Sequence, residues 1–325
     1  MSDRFDPDRR AREAQAIRAR RLREGRPTPL RKLPFIVLGV VLLGGLLAAG
    51  AVATDTLGVG TKFDRLVRKI ELAVNPPPDR ATVATITVTP RPSLATPSAA
   101  PASRAPGKPT PTPTPAPVRK AVNVRIAVDP NAVFKHEIRV DWCAPAGVQM
   151  VLAAHGHVDR SDAFQRKLAD EVSKWESYSD SHNGQWGPAA MVEALAAYGV
   201  PGYQIHAADT RQDALRDAAG AISRTGAPVI LLAWRGAHTW VMNGYRATAD
   251  PLTFDDATVT GAYILDPWYP DVSSIWGPSD PPGTFQDTSE MIRNFLPWKR
   301  PEGHYPDRDG KFIIVVPTVP LTTPG

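Results

Sequence analysis

"VDWCAPAGVQMVL", residues 140–152, is the stretch on which the reading of this chain turns, because it holds the only cysteine among 325 residues. Pro145 suits the first turn of a helix, Val148, Val151 and Leu152 recur at helical spacing, and Gly156 is a natural stop. The pattern predicts a helix that starts near Ala144, with Cys143 directly before it. Backbone N–H groups at a helix start have no partner within the helix, and the local positive end favours a thiolate. A lone cysteine has no intramolecular disulfide partner. It is therefore a small buried hydrophobe, a bridge to another chain, or a reactive group.

Working outward, residues 121–320 read as one folded domain of about 200 residues, long enough to bury a core. All eight tryptophans lie there. Helices come first. "SDAFQRKLADEVSKW" offers Ser161 and Asp162 as caps, the latter three residues before Gln165 as in a capping box. "GPAAMVEALAAYG" starts with Pro188 and stops at Gly199, and "DALRDAAGAIS" is a further helix. Strands follow: "PVILLAW", "AHTWVMNGYRA", "AYILDPW" and "KFIIVVP". The first two are separated only by Arg235, Gly236 and Ala237, a hairpin length. In the second, His238, Trp240 and Met242 alternate with Thr239, Val241 and Asn243. Helices followed by antiparallel strands predict an α+β domain.

Upstream the texture differs. The formal charge of +5 is local: residues up to Lys32 carry eleven basic against five acidic side chains, and the remainder is near neutral. A nucleic-acid surface needs basic residues on a folded face; here they adjoin an apolar run instead. "PFIVLGVVLLGGLLAAGAVAT", residues 34–54, has no charged side chain and as a helix spans about 30 Å, a bilayer core. Its basic flank predicts a cytoplasmic tail at residues 1–33 and everything after the run outside. Small residues in "LLAAGAVAT" also fit a signal-peptidase site, although the apolar run exceeds an ordinary signal. Residues 55–75 put Phe63, Leu66, Val67, Ile70 and Val74 on one helical stripe, either a surface-lying amphipathic helix or an extension of the anchor. Residues 76–120, rich in Pro, Thr, Ser and Ala, predict a disordered spacer of polyproline character.

Outside a membrane a retained free thiol suggests chemical use. A nucleophile needs a base, and His238 at the start of a strand, behind Gly236, is the candidate; an ordinary edge-strand histidine is the alternative. Asp266, halted by Pro267 at a strand end, can fix the imidazole; Asn243 is the second choice because it points to the other strand face. His155 and His157 flank the helix stop Gly156 with no third ligand, so no metal or cofactor is expected. His136, His182, His206 and His304 read as surface residues.

Three blocks now carry a resemblance: "DWCAPAGVQMVL", "GAHTWVMNGYR" and "ILDPW", with "SSIWGP" and "FLPW" behind them. In this order they resemble the papain-like cysteine peptidases of the double-glycine-leader, bacteriocin-processing type. The resemblance implies a papain-like fold with N-terminal helices on an antiparallel sheet. It also implies Cys143 as nucleophile, His238 as base and then acid, Asp266 as orienter, and a peptide or protein as substrate. Trp142 and Trp240 are expected as cleft walls. There is no ATP-binding G-x-x-x-x-G-K-[ST] signature, so no nucleotide partner is expected.

One position departs from the pattern. Relatives carry a glutamine six residues before the cysteine, whose amide helps stabilise the oxyanion; here it is Glu137. An ionised glutamate only accepts hydrogen bonds. Either a protonated Glu137 donates, other donors serve, or the domain no longer cleaves. The position after the cysteine is Ala144 where relatives have glycine. Three functions remain open: a membrane-tethered extracytoplasmic cysteine peptidase, a peptide- or glycan-binding module on the same fold, and a cell-wall peptide amidase.

Overall fold

The computed structural model describes residues 83–89, 117–157, 159–176, 186–273, 275–299 and 307–321, with further helical positions at 15–16, 44–46, 49–50, 63, 66–67, 70 and 74. The chain divides into two compact units, Met1–Asp64 and Arg65–Gly325. Of the apolar run 34–54, Gly44, Gly45, Leu46, Ala49 and Gly50 are helical and the remainder lies outside the described residues. Among the described residues no helix is long and apolar enough to cross a membrane. The expected stripe of Phe63, Leu66, Val67, Ile70 and Val74 is helical and exposed at every position.

The second unit is built on strands β1 (Thr85–Thr87), β2 (Val122–Arg125), β3 (Tyr203–Ala208), β4 (Val229–Leu232), β5 (His238–Ala247), β6 (Val259–Leu265), β7 (Val272–Ser273), β8 (Gly277–Pro278), β9 (Thr284–Asp287) and β10 (Phe312–Pro317). Among the described residues eight of them form one sheet in the order β1-β3-β10-β4-β5-β6-β9, with β2 beside β5. β7 and β8 make a separate two-stranded ribbon. All pairs in the large sheet are antiparallel except β1 with β3.

Helices cover both faces. On one lie α1 (Cys143–Ala154), α2 (Asp162–Glu171) and α3 (Pro188–Ala197); on the other lies α4 (Arg211–Thr225), with α5 (Thr288–Asn294) near the sheet end. Alternation along the strands divides the apolar residues between two cores. Ile230, Val241, Ile313 and Val315 join α1 and α3, whereas Leu231, Trp240, Met242, Ile314 and Val316 join α4. β4 is buried at all four positions because both its faces are covered. Each such aliphatic side chain contributes about 1.5–3 kcal/mol on burial.

Local chemistry explains the helix ends. Ser161 caps α2 by accepting from the Phe164 N–H, Pro188 opens α3, and α4 runs from a Thr210 cap to Gly226 in the left-handed conformation. Gln165 is not the capping-box partner of Asp162; its side chain turns inward, as described below.

A mixed α/β unit with one large sheet fits the papain-like fold implied by the resemblance, with four corrections. β3 interrupts the order of helices then strands, and α4 occupies the face opposite α1 and α3. The spacer 76–120 is not wholly without structure: Thr85–Thr87 adds to the edge of β3, where the Val88 N–H reaches the Ala207 carbonyl at 2.8 Å. Its β-branched Thr-Ile-Thr sequence suits a strand, and an open edge recruits it. Finally, Trp240 is no cleft wall. It sits mid-strand beneath α4 with 3% of its surface exposed, since strand alternation directs it into the second core.

Candidate active site

Cys143 is the first residue of α1 and is partly exposed. Its preceding residue, Trp142, is the N-cap but offers no side-chain cap, so the first-turn N–H groups stay available. One turn on, Gly147 allows α1 to lie against β5: a Cβ there would come within 2.5 Å of the Thr239 methyl. Because Thr239 follows His238, this close approach is what brings the cysteine to the histidine.

His238 opens β5 and is 3% exposed. Residues Ala233–Gly236 deliver it through a tight turn in which Trp234, Arg235 and Gly236 all have positive φ, at 49°, 63° and 83°. Left-handed backbone at two residues with side chains is costly and persists only where the surroundings impose it. Here the Arg235 carbonyl accepts from the Lys299 N–H at 3.1 Å, and the Trp298 ring fills the space beside Gly236. The Trp234 indole N–H donates to Asn294 of α5 at 3.1 Å. Trp234 is thus a turn residue rather than the last residue of a strand.

Asp266 follows β6 directly. Its Oδ1 accepts from His238 Nε2 at 2.7 Å and from the Trp268 N–H at 2.9 Å. With Nε2 engaged, Nδ1 is the ring nitrogen left over, and the Cys143 sulfur lies within 4.8 Å of a ring nitrogen of His238. Burial pulls the imidazole's proton affinity down. The charge and hydrogen bond of Asp266, together with Cys143, outweigh that and hold His238 well above the ordinary histidine range. Its cationic form is therefore sustained between an acid and a sulfur. Asn243, the second choice for the orienting group, lies elsewhere: its amide exchanges hydrogen bonds with the backbone of Ala127.

Glu137 completes the cluster. Its backbone N–H donates to the Pro267 carbonyl at 2.9 Å, and His136 Nδ1 reaches the carbonyls of Pro267 and Tyr269 at 3.1 and 2.8 Å. Gln165, fully buried, holds the other side by accepting from the Ile138 N–H and donating to the His136 carbonyl. The loop before α1 is so stitched to the turn after β6, and Glu137 is directed inward. One carboxyl oxygen, the Cys143 sulfur and a ring nitrogen of His238 all lie within 4.8 Å of one another. Both carboxyl oxygens are buried without a hydrogen-bond partner among the described residues. Burial drives this carboxyl up, His238 opposes, and Asp266, Asp141 and Asp271 push further, leaving it at about 8.

A thiol, an imidazole and a carboxyl are also metal-ligand types. With one imidazole nitrogen committed to Asp266 and the carboxyl favouring its proton, the donor set matches proton transfer better than a closed four-ligand zinc site. His155 turns toward the Tyr203 hydroxyl at 3.3 Å while His157 is exposed, so the two do not converge. His136 and His206 are half-buried with partners rather than free surface residues; His206 pairs with Asp217 at 2.5 Å. His182 and His304 lie outside the described residues.

Sequence reasoning missed the aromatic wall. Trp234 lies flat on His238 with ring centres 4.0 Å apart, Trp276 stacks on Trp234 at 5.5 Å, and Trp268 meets His238 edge-on at 6.3 Å. A π face against an imidazolium adds to its stability. Nothing in the spacing of these tryptophans signals the stack, since three loops supply them. Trp142 remains by the cysteine, half-buried, with the Arg139 guanidinium 5.3 Å from its ring centre. Another concavity, bounded by Arg216, Asp217 and Arg224, lies along α4 and holds no nucleophile–base pair.

A model of the Peptidase_C39-like family matches residues 125–287, a span that includes Glu137, Cys143, His238 and Asp266. No curated protein and no solved structure matches the chain.

Proposed function

The chain belongs to the Peptidase_C39-like family, and on that premise we propose that its folded domain is a cysteine peptidase working through Cys143, His238 and Asp266. The observation that carries this reading is the buried imidazole hydrogen-bonded to the Asp266 carboxylate with the Cys143 sulfur within 4.8 Å of a ring nitrogen.

In the proposed reaction the thiolate attacks the carbonyl carbon of a peptide bond, and the C=O π pair moves to oxygen. The N–H groups at the start of α1 stabilise that oxyanion. When the pair returns, the C–N bond breaks and the leaving amine takes a proton from His238. Water then gives a proton to His238, its oxygen attacks the thioester, and the sulfur leaves as thiolate beside the imidazolium. Asp266 holds the ring orientation throughout. Trp142 and the Trp234–Trp276 stack would border the bound peptide.

The same proposal places the domain outside the cytoplasm, tethered through residues 34–54 and held off by the Pro-rich stretch. Support comes from the uncharged run and its basic N-terminal flank.

The deciding experiment compares wild type with Cys143→Ala on a peptide library and with a peptide bearing a thiol-directed electrophile. Cleavage and single-site labelling in wild type, both absent in the variant, are expected. Ligand binding without turnover, unchanged in Cys143→Ser, replaces the peptidase by a binding module. Turnover confined to cell-wall peptides identifies an amidase.

A further inference from the structure

Resting on the peptidase reading, we propose that Glu137 works as a neutral carboxylic acid that donates a hydrogen bond to the oxyanion, so that loss of its proton switches the enzyme off from the alkaline side. The inference starts from geometry. Glu137 is 2% exposed, both its carboxyl oxygens lack a hydrogen-bond partner among the described residues, and one of them faces the sulfur and the imidazole. An ionised carboxylate buried without hydrogen bonds is expensive, so such a group keeps its proton.

The surrounding charges agree. From β5 comes His238, which favours the anion, and it is already paired with Asp266. From the segment after β6 come Asp266 and Asp271, and from the loop before α1 comes Asp141, all three opposing ionisation. Arg139, on the same loop, is turned to Asp141 at 3.8 Å and to the Trp142 ring. His136 is held by the carbonyls of Pro267 and Tyr269. Cys143, at the start of α1, is the group Glu137 faces across the reacting space.

A carboxylic acid has one O–H to donate, as an amide has its N–H; a carboxylate has none. As the thiolate adds to the carbonyl carbon, the new O⁻ accepts from the Glu137 O–H and from helix N–H groups. The proton stays on Glu137. When the C=O re-forms and the amine departs with the His238 proton, the hydrogen bond relaxes.

The test uses the intact chain, with peptide hydrolysis and affinity for a peptide aldehyde as readouts. Bound to Cys143, the aldehyde places a hemithioacetal oxygen where the oxyanion forms. Iodoacetamide alkylation of the single cysteine, run in parallel, reports the thiol–imidazole pair by itself. In wild type, kcat/KM and aldehyde affinity fall about tenfold per pH unit above about pH 8, a fall that alkylation does not share. Glu137→Leu loses about 10²–10³ in kcat/KM, Glu137→Gln recovers most of that, and in the Gln variant turnover follows the alkylation profile at high pH. The proposal is overturned if the wild-type alkaline fall coincides with alkylation and is unmoved in Glu137→Gln, or if Glu137→Leu is as active as wild type. If wild type alkylates normally yet neither cleaves peptides nor binds the aldehyde at any pH, the peptidase reading falls and takes this proposal with it.

Discussion

Replacing Glu137 by Gln has a consequence for stability that can be worked out without any substrate. The buried carboxyl sits at about 8 against an ordinary 4.5. Between those values the native state keeps a proton that the unfolded chain has lost. A raised acid therefore costs stability as pH rises: nothing is lost below about 4.5, and the full loss is reached above about 8. At about 1.4 kcal/mol per pH unit the loss is roughly 3 kcal/mol by pH 7 and roughly 5 kcal/mol by pH 9. Glutamine has no proton to withhold, so its curve lacks this slope. Its amide brings a fixed penalty of about 1–3 kcal/mol for polar groups that find no partner. The expected outcome is a crossing. Glu137→Gln is equal to or less stable than wild type near pH 5, and more stable by about 2–4 kcal/mol near pH 9. Urea unfolding of both proteins at steps from about pH 5 to pH 9 measures it, with the slope against denaturant checked for constancy. Two stability curves that run parallel across this range would mean that Glu137 is ionised in the native state or well solvated, and the assignment of a neutral acid fails.

Three further outcomes follow from the site. Asp266→Asn removes the main influence that offsets burial of His238, and is expected to slow alkylation of Cys143 near neutral pH by about tenfold or more; an unchanged rate removes Asp266 from the site. Trp234→Ala takes away the ring stacked on His238, lowering the histidine's proton affinity and slowing alkylation about two- to tenfold, with NMR titration of the imidazole as the direct check. Gly236→Ala forces a Cβ within 2.4 Å of the Trp298 ring at a φ of 83°, for an expected loss of about 2–4 kcal/mol measured by urea unfolding; full stability would show that the turn before β5 is not tightly constrained.

Elements whose signals are local were legible. α1 to α4 each combine an apolar stripe with a start or stop residue, and the structure places them at Cys143–Ala154, Asp162–Glu171, Pro188–Ala197 and Arg211–Thr225. β4, β5, β6 and β10 are apolar or alternating runs, and they form the centre of the sheet together with β3. β3 was not legible because "YQIHAA" is mixed in polarity, and β1 because three residues in a Pro-rich stretch carry little pattern; each is a strand through its neighbour's free hydrogen bonds. The strand pattern of β5 put His238 and Trp240 on one side, yet two positions along the strand separate a group at the sheet's open end from one sealed under α4.

Residue order alone determined that the lone thiol stands at a helix start, that an imidazole opens a strand and that an acid closes another, because capping, periodicity and proline act within a few residues. Tertiary structure decided what these groups meet. Gly147 admits α1 against β5, the strained turn at Trp234 and Arg235 aims the imidazole, and Gln165 ties the loop that carries Glu137 to its place. Burial, neighbouring charge and ring stacking depend on distances between segments far apart in the chain, and it is these that raise the proton affinity of Glu137 and of His238.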